Sequence, residues 1–591
     1  MRKFLFYCFV IGLLFGIPTS LSAADFTANY DIDYAVAPTG STIVTQKIQL
    51  TNQKTDIYPK KYALTIDTDR ITNVIAYDEK GMISPALSKH DGKTDIEVTF
   101  NTHAVGMGKV LPFELRYEQG DIAVKNGTIW EINIPGIKND PAIQSYSVRL
   151  RTPPQFGSPT YLKPVPSNDQ YWTKEQLLEG GISAAYGSSQ TFTVQITYDL
   201  ENTKLTSETY EIALPPDTSY QKVFVKSIDP KPITNRKDID GNWLFRYEIP
   251  GNTKMTVTGQ IIVSTYINPR EDYQTDVIQP TDFLVPIKYW DSNAPLISEI
   301  AKKYSTPKQI YDFVVSSLSY NEKRSSSILT RKGALEALKK PEDSLCSEFT
   351  DLFISIARAA GIPAREIVGF AYTTNSKLRP QSGFADILHA WPEYYDKEKH
   401  VWIPVDPTWG KTTNGVDYFS LLDFNHIAFV IHGISSETPY PAGSFRQGTI
   451  SKKNVQVGFA DTTPAAQKES LKISLDLPKK IPVLSNVSKA LTVQNLTGVT
   501  VSDLVVNVTS YPYPFKTTLK VQNIPPFGTV RIPIEFRIIG LPTKKASVTV
   551  TTNSTVATFP YETTVPSAII FGIGAIGFGL GIIVWLLLKR R

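Results

Sequence analysis

Strict alternation of apolar and polar residues dominates the first half of the chain. Segments such as STIVTQKIQLTN, KTDIEVTF and TFTVQITYDL repeat with a period of two and are rich in Val, Ile and Thr, which is typical of half-buried β-strands. Turn dipeptides separate them, as at Asp91-Gly92 and Asp240-Gly241. A proline-rich stretch, RLRTPPQFGSPTYLKPVPS, interrupts the pattern. We therefore predict two β domains, over residues 25–155 and 156–270, with a short helix in WTKEQLLEGG.

Helical spacing replaces this alternation after about residue 285. Apolar residues recur every three or four positions in NAPLISEIAKKY, TPKQIYDFVVSSL, KGALEALKK and SEFTDLFISIARAAG, which predicts four helices. Thr306, followed by a proline, is an expected N-cap. Asp343 or Ser344 is the expected N-cap of the fourth helix, and Gly361 is its expected end. Strand-like segments follow, so that an α+β domain is predicted over residues 285–435.

Short strands and turns return near the end of the chain. LTVQNLTGVTVSDLVVNVTSYPYPF and TVRIPIEFRI are typical of an immunoglobulin-like β-sandwich, which we predict over residues 470–563. A chain of 591 residues is long enough for three or four domains. The predicted fold class is multidomain, with a β-rich N-terminal region, the α+β domain, the C-terminal immunoglobulin-like sandwich and the single transmembrane helix described next.

Two longer apolar runs lie at the ends of the chain. Residues 1–24 combine a basic start, a short apolar run and small residues, which predicts a signal peptide. Residues 568–588 form an uncharged apolar run followed by Lys589, Arg590 and Arg591, which predicts a transmembrane helix with a cytoplasmic tail. The expected location is therefore the cell membrane, with a single pass and a large N-terminal body outside the cytoplasm.

Charge and cysteine content narrow the class of protein. The 61 Lys and Arg residues against 56 Asp and Glu residues give a net charge of +5, without the basic stripe that nucleic-acid binding requires. Of the two cysteines, Cys8 lies in the predicted signal peptide. Cys346 is then the one cysteine of the mature chain, and no internal disulfide can form.

Cys346 stands where a reactive thiol is expected. It lies in the predicted first turn of a helix, where the helix dipole favours the thiolate, and a nucleophilic thiol also needs a base. His389 begins HAWPEYY, and VWIPVDPTWG returns after the polar turn DKEK. With the turn centred between residues 397 and 398, His389 lies opposite Asp406, with Cβ atoms about 5 Å apart. The carboxylate would then orient the imidazole.

These segments resemble a known family. DSLCSEFTDLFISIARAAGIPAREIVGF, HAWPEYY and WIPVDPTWG are similar to the core motifs of the transglutaminase-like superfamily, and the resemblance covers about residues 285–435. It implies a papain-like fold and a Cys-His-Asp triad in which Cys346 attacks a carbonyl carbon, His389 transfers the proton and Asp406 orients His389. Members commonly have glycine two residues before the cysteine, where this chain has Ser344.

The resemblance implies thiol acyl transfer through an acyl-enzyme. We expect a cysteine protease or amidase acting on peptide or protein amides. A crosslinking transglutaminase is the first alternative, and a non-enzymatic surface or assembly protein is the second. Candidate oxyanion donors are the backbone N–H of Cys346 and residues Tyr320 and Asn321.

No cofactor and no metal is expected. Glu348 and Glu393 lack a nearby ligand cluster in the sequence, and Asp238 begins a segment that is better explained as a hairpin turn than as a calcium loop. His426 and His432 are expected on the surface or in loops. Trp391, Trp402 and Trp409 are expected to pack the core and form the walls of the cleft.

Overall fold

A computed structural model describes residues 25–178, 180–273, 280–324, 330–373, 379–380, 388–413, 416–442, 454–460 and 469–590. The predicted signal peptide over residues 1–24 lies outside the described residues. The chain divides into two compact units. The first comprises Met1–Val124, Asn133–Phe156 and Val165–Gly181, and the second comprises Lys125–Ile132, Gly157–Pro164 and Ile182–Arg591. The domain boundaries given above stay predictions.

The first part of the chain is almost entirely β-structure, as its alternation predicts. Its elements are β1 (Phe26–Val36), β2 (Thr42–Asn52), β3 (Lys61–Ile66), β4 (Ile71–Asp78), β5 (Gly81–Ile83), β6 (Ala86–His90), β7 (Lys93–Thr99), β8 (Val110–Gln119), β9 (Ala123–Asn126), β10 (Ile129–Ile134), β11 (Ile143–Arg151), β12 (Pro159–Lys163), β13 (Tyr171–Trp172), α1 (Lys174–Leu178) and β14 (Ile182–Tyr186). In the first unit a seven-stranded sheet has the order β13-β11-β1-β2-β8-β4-β5, and a smaller sheet has the order β3-β7-β6. The short helix α1 confirms the helix predicted in WTKEQLLEGG.

The second unit continues with a further β region after β14. Its strands are β15 (Gln190–Asn202), β16 (Glu208–Leu214), β17 (Gln221–Asp229), β18 (Thr234–Lys237), β19 (Trp243–Ile249) and β20 (Thr253–Thr265). Two sheets, β16-β19-β18 and one containing β17-β20-β15, bury a shared core that includes Tyr198, Trp243 and Phe245. Lys237 pairs with Trp243 across the β18–β19 turn, which confirms a hairpin turn at Asp238.

The helices and a four-stranded sheet follow. The helices are α2 (Pro295–Lys303), α3 (Pro307–Ser317), α4 (Ala334–Lys339), α5 (Cys346–Ala359) and α6 (Pro407–Thr412), and the strands are β21 (Ala364–Ala371), β22 (His389–Asp396), β23 (Val401–Pro404) and β24 (His426–His432). The sheet order is β23-β22-β21-β24. The Thr306 side chain accepts a hydrogen bond from the Gln309 N–H, which confirms Thr306 as the N-cap of α3. Gly361 has a φ of 78° just after α5, as a helix-ending glycine requires.

Helix α5 is the centre of this region. Phe349, Leu352, Phe353 and Ile356 have no exposed surface and lie in a core that also contains Trp290 from the segment before α2. Because these apolar side chains recur at helical spacing, α5 packs on β21 and β22. Cys346, its first residue, is thereby held against the start of β22.

The last β region follows a strand that returns to the earlier sheet, β25 (Val455–Phe459), which pairs with β15. Its strands are β26 (Leu471–Leu475), β27 (Lys480–Pro482), β28 (Asn486–Asn495), β29 (Val501–Tyr511), β30 (Phe515–Ile524), β31 (Thr529–Arg537), β32 (Ala546–Thr551) and β33 (Val556–Thr564). Sheets of order β26-β28-β31 and β27-β33-β32-β29-β30 share one apolar core. The immunoglobulin-like assignment stays a prediction.

The predicted fold class needs one correction. The chain ends in a helix, α7 (Ser567–Leu588), and the side chains of residues 567–575 and 577 lie outside the described part. Crossing a bilayer takes about 20 consecutive apolar residues. Among the described residues, no helix combines the length and the apolar character that crossing a membrane requires. The prediction of a single transmembrane helix over residues 568–588 is therefore wrong on this finding.

Candidate active site

Cys346 lies in the first turn of α5, as predicted, and is its first helical residue, but the helix is capped differently. The N-cap is Leu345 rather than Asp343 or Ser344. The backbone N–H of Leu345 donates to Oε2 of Glu348 over 2.9 Å, and Arg324 donates to the same carboxylate over 2.7 Å. The buried Glu348 thus stabilises the turn that presents Cys346, which is only 5% exposed. As the first helical residue, Cys346 has a backbone N–H without an acceptor inside the helix.

His389 begins β22 beside this helix terminus and is 1% exposed. Its Nε2 atom lies 2.9 Å from Oδ2 of Asp406. Nδ1 has no oxygen or nitrogen hydrogen-bond partner among the described residues, which leaves it for the thiol of Cys346 beside the ring. The ring of Trp409 stacks on the imidazole at a centroid distance of 5.1 Å, and the ring of Trp391 stacks at 5.9 Å. Two indole rings therefore hold the plane of the imidazole, in agreement with the packing role expected for them.

Asp406 lies just beyond the end of β23 and is fully buried. It is the N-cap of α6, and its Oδ1 accepts the backbone N–H groups of Thr408 and Trp409 over 2.9 and 3.0 Å. The predicted hairpin register is wrong by two residues, because Glu393 pairs with Pro404 rather than with residue 402. A shift of two residues keeps every side chain on its face. The carboxylate reaches His389 from the cap position instead of from across the ladder.

The charges of His389 and Asp406 stabilise each other in this buried place. Burial lowers the pKa of His389, but the Asp406 carboxylate outweighs burial and the adjacent Cys346 adds to its effect, so the pKa rises to about 9. Burial raises the pKa of Asp406, yet His389 and then His426 hold that pKa well below its usual range. At neutral pH the pair is therefore an imidazolium facing a carboxylate.

A second histidine was missed as a site residue. His426 and His432 were expected on the surface or in loops, but both are buried in β24. Nε2 of His426 lies 3.4 Å from Oδ2 of Asp406, whereas His432 lies 2.9 Å from Glu366. The segment HIAFVIH could have indicated this, since a continuous apolar run bounded by polar residues is typical of a strand buried on both faces.

The close approach of strands at the site depends on Gly369. This residue of β21 pairs with His389 on one side and with Ala428 on the other. The ladder to β24 is irregular between Val368 and Gly369, and a Cβ atom at Gly369 would lie 1.9 Å from the Ile427 carbonyl oxygen. Only glycine fits this approach. Through it, β22 and β24 bring His389 and His426 to a centroid distance of 5.7 Å.

The two side chains named as candidate oxyanion donors differ. Tyr320 pairs with Ser344, two residues before Cys346, and its buried hydroxyl has no hydrogen-bond partner in the part of the chain that the structure describes. Burial, and after it the nearby Cys346, raises the pKa of Tyr320 well above its ordinary value. The Asn321 side chain instead donates to Asp343 over 2.9 Å. Tyr320 is therefore free to donate to a ligand near Cys346, and Asn321 is committed elsewhere.

One group of side chains at the site is of types that also bind metals. A donor atom from each of His389, Asp406 and His426 lies within 4.8 Å of the others. The separations of 2.9 and 3.4 Å to Asp406 are explained by hydrogen bonds. We therefore assign this cluster to hydrogen bonding. Glu393 has a structural contact as well, since it accepts from Arg365 over 2.8 Å.

The fold and the site define a Cys-His-Asp protein, in which a helix supplies the thiol and an adjacent sheet supplies the imidazole and its carboxylate. Residues 293–407 match the family model of the transglutaminase-like superfamily. This region, which includes Cys346, His389 and Asp406, is therefore a transglutaminase-like domain. No curated protein matches the chain.

Several solved structures are similar to parts of the chain. A candidate cysteine protease from Cytophaga hutchinsonii is 18% identical over 46% of this chain and 98% of its own, with a TM-score of 0.28. The periplasmic domain of TgpA from Pseudomonas aeruginosa is 16% identical over 39% of this chain and 92% of its own, with a TM-score of 0.22. The CARDB domain of the PF1109 protein from Pyrococcus furiosus is 16% identical over 17% of this chain and 95% of its own, with a TM-score of 0.15.

Proposed function

We propose that this protein is a thiol acyl-transfer enzyme that hydrolyses peptide or protein amides through an acyl-enzyme on Cys346. The observation that carries the proposal is the position of His389. Its Nε2 is bound to Asp406 at 2.9 Å, and its free Nδ1 is on the ring beside the Cys346 thiol. A nucleophile, a base and a group that orients the base thus lie in one buried row.

The proposed reaction has two halves. Cys346 Sγ, having given its proton to His389, bonds to the amide carbonyl carbon, and His389 returns that proton to the leaving amine as the C–N bond breaks. Water then attacks the thioester carbonyl carbon while His389 takes a proton from it. The C–S bond breaks, His389 returns the proton to Sγ to restore the thiol, and the carboxylic acid product leaves. The oxyanion of both tetrahedral intermediates would accept hydrogen bonds from the Cys346 N–H and the Tyr320 hydroxyl.

Hydrolysis and crosslinking share the first half-reaction and differ in the acceptor. We propose water as the main acceptor, as the sequence resemblance led us to expect, and an amine would lead to crosslinking. The raised pKa of His389 and the lowered pKa of Asp406 support an enzyme over a non-enzymatic module, because strongly shifted pKa values cluster at functional sites.

We also propose an extracytoplasmic location, which is predicted from residues 1–24. Cell fractionation tests this location.

The test is a glutamine-donor peptide assay with and without a labelled primary amine. We expect the wild-type protein to release ammonia from the glutamine donor and to incorporate little of the labelled amine. Both activities should be lost in Cys346→Ala. Cys346→Ser is the conservative companion, since it keeps the size of the side chain but replaces the thiolate nucleophile. Amine incorporation that outruns hydrolysis would make the protein a crosslinking enzyme. Full activity in Cys346→Ala would contradict the enzyme proposal altogether.

A further inference from the structure

A second histidine–carboxylate pair lies directly behind Asp406. Nδ1 of His426 is 2.7 Å from Oδ1 of Asp423, and Nε2 of the same ring is 3.4 Å from Oδ2 of Asp406. The side chains of His426 and Asp406 are at most 1% exposed, so water does not screen the contact. His389, Asp406, His426 and Asp423 thus form a continuous row of alternating imidazole and carboxylate groups.

The two contacts of His426 determine its protons. A neutral imidazole carries one N–H, whereas an imidazolium carries two. Both partners are charged carboxylates, because the pKa of Asp406 and that of Asp423 are lowered despite burial by the histidines beside them. Neither carboxylate therefore has a proton to donate to the ring. Two hydrogen bonds from His426 require that the ring supply both protons.

The contacts of Asp406 indicate what this ring does. Oδ1 accepts the N–H groups of Thr408 and Trp409, and Oδ2 faces His389 and His426. A carboxylate offers about four acceptor positions, so all of them are taken. Without His426, Oδ2 would have one donor fewer and the carboxylate could rotate about its remaining contacts.

We propose that His426 is a positioning residue of the active site: an imidazolium, held by Asp423, that keeps the Asp406 carboxylate charged and oriented towards His389. The inference rests on the proposed function, because the positioning matters only if Cys346 and His389 react. It adds a fourth and a fifth residue, His426 and Asp423, to the predicted row of three.

Other charged groups surround the far end of the row. Asp423 also accepts the Asn425 N–H over 2.9 Å, and the Tyr418 ring lies 6.4 Å from the His426 ring. Among the described residues, the other titratable groups that face Asp423 are Glu131, Tyr161, Lys163 and Arg379. None of these makes a hydrogen bond to His426 among the described residues, so Asp423 is the direct counter-charge of the ring.

Histidine titration by NMR tests the proposal on the full chain labelled with ¹³Cε1-histidine. In the wild-type protein at about pH 7.5, the His426 signal, assigned through its contact with the Tyr418 ring at 6.4 Å, should have the shift of an imidazolium. His426→Gln keeps an N–H group that can donate to Oδ2 of Asp406 but removes a positive charge within a few ångströms of His389. It should therefore raise the pKa of His389 by roughly one unit. A merely structural loss of packing would not produce this upward shift.

The matched control is His432→Gln. This residue lies in the same strand, is equally buried and contacts a carboxylate, Glu366, that is not part of the row, so its substitution should leave the His389 titration unchanged. A neutral His426 in the wild type would overturn the proposal even if His426→Gln failed to fold. So would an unchanged His389 titration in His426→Gln. The proposed function would be contradicted by a different result, namely full activity in Cys346→Ala.

Discussion

The Nε2 atom of His389 lies 2.9 Å from Oδ2 of Asp406, although the two residues are not partners in the β22–β23 ladder. Asp406 reaches the imidazole because it is the N-cap of α6, where two backbone N–H groups hold its other oxygen. One carboxylate therefore both starts a helix and orients the proposed base. The hydrogen bonds that fix the helix end also fix the site.

Asp406→Asn tests the orienting role of this carboxylate. The amide can still cap α6 through its oxygen, but it cannot balance the charge of an imidazolium at His389. We expect the acyl-transfer rate to fall about a thousandfold or more. The free energy of unfolding should fall as well, because the buried imidazolium rings of His389 and His426 lose the counter-charge they share, although asparagine remains a good N-cap. Steady-state hydrolysis of the donor peptide measures the rate.

The matched control for that change is Asp396→Asn. Asp396 ends β22 and accepts the N–H groups of Glu398 and Lys399 in the following turn, remote from the thiol. Its substitution should change the rate less than twofold, because the contacts of Asp396 lie in the turn and not at the site. A rate near the wild-type value in Asp406→Asn would show that His389 needs no carboxylate partner.

Tyr320→Phe tests the proposed oxyanion donor. Within the described ranges the hydroxyl has no hydrogen-bond partner to lose, so its removal should not lower the free energy of unfolding. The donor contact to the oxyanion exists only in the transition state, and kcat should therefore fall about a hundredfold with KM nearly unchanged. Tyr304→Phe, which removes a hydroxyl after α2, serves as the control. Equal effects of both substitutions on kcat would contradict the assignment.

Much of the transglutaminase-like region was predictable because its signals are local. Apolar spacing predicts α5, the Thr306-Pro307 pair predicts the start of α3, and the glycine at 361 predicts the end of α5. The alternation of polar and apolar residues in the same way predicts strands such as β2 and β15. These features depend on neighbours within one or two turns of the chain, which a sequence displays directly.

The parts that were missed depend on contacts distant in the chain. His426 looks like a strand end until β21 brings it beside His389, and the register of β22 depends on the proline residues of the hairpin. The N-cap of α5 is Leu345, whose own backbone N–H donates to the Glu348 carboxylate, and Arg324 holds that carboxylate from outside the helix. No local pattern encodes these contacts.

Gly369→Ala tests the close approach of the strands. The new Cβ would lie 1.9 Å from the Ile427 carbonyl oxygen, so β21 and β24 would have to separate. We expect the free energy of unfolding to fall by about 2 kcal/mol or more, measured by urea denaturation. Gly120→Ala is the control, because a Cβ atom at Gly120 would lie 3.8 Å from its nearest described neighbour, the Cβ atom of Arg70. That distance is an ordinary van der Waals contact. Equal stability of the two variants would mean that the site does not depend on this approach.

The raised pKa values of His389 and His426, both about 9, predict how stability changes with pH. In the unfolded chain a histidine loses its proton near pH 6.5, whereas the native protein keeps both protons until about pH 9. Native protein therefore binds more protons between these limits, and the free energy of unfolding should decrease as the pH rises. The stabilisation is fully present below about pH 6.5 and lost above about pH 9.

Urea denaturation between about pH 7 and pH 8 measures this slope. The range stops there because burial lowers the pKa of Lys163 to about 8, and that group changes stability in the opposite direction at higher pH. His389→Gln should reduce the decrease, since one of the two retained protons is gone. Stability that rises with pH over this range in the wild-type protein would contradict the charges assigned to the two rings.

Asp423→Asn separates the charge of His426 from its position. In the wild-type protein, Nδ1 of His426 lies 2.7 Å from Oδ1 of Asp423. The asparagine amide oxygen can still accept a hydrogen bond from Nδ1, but the substitution removes the negative charge next to the ring. The pKa of His426 should therefore fall from about 9 towards the ordinary histidine value, as read from its ¹³Cε1 signal. Asp417→Asn is the control, because that carboxylate accepts the N–H groups of Phe419 and Ser420 and has no hydrogen bond to the ring among the described residues. If both substitutions leave the His426 titration unchanged, Asp406 alone holds the proton, and Asp423 is then a structural neighbour of the row.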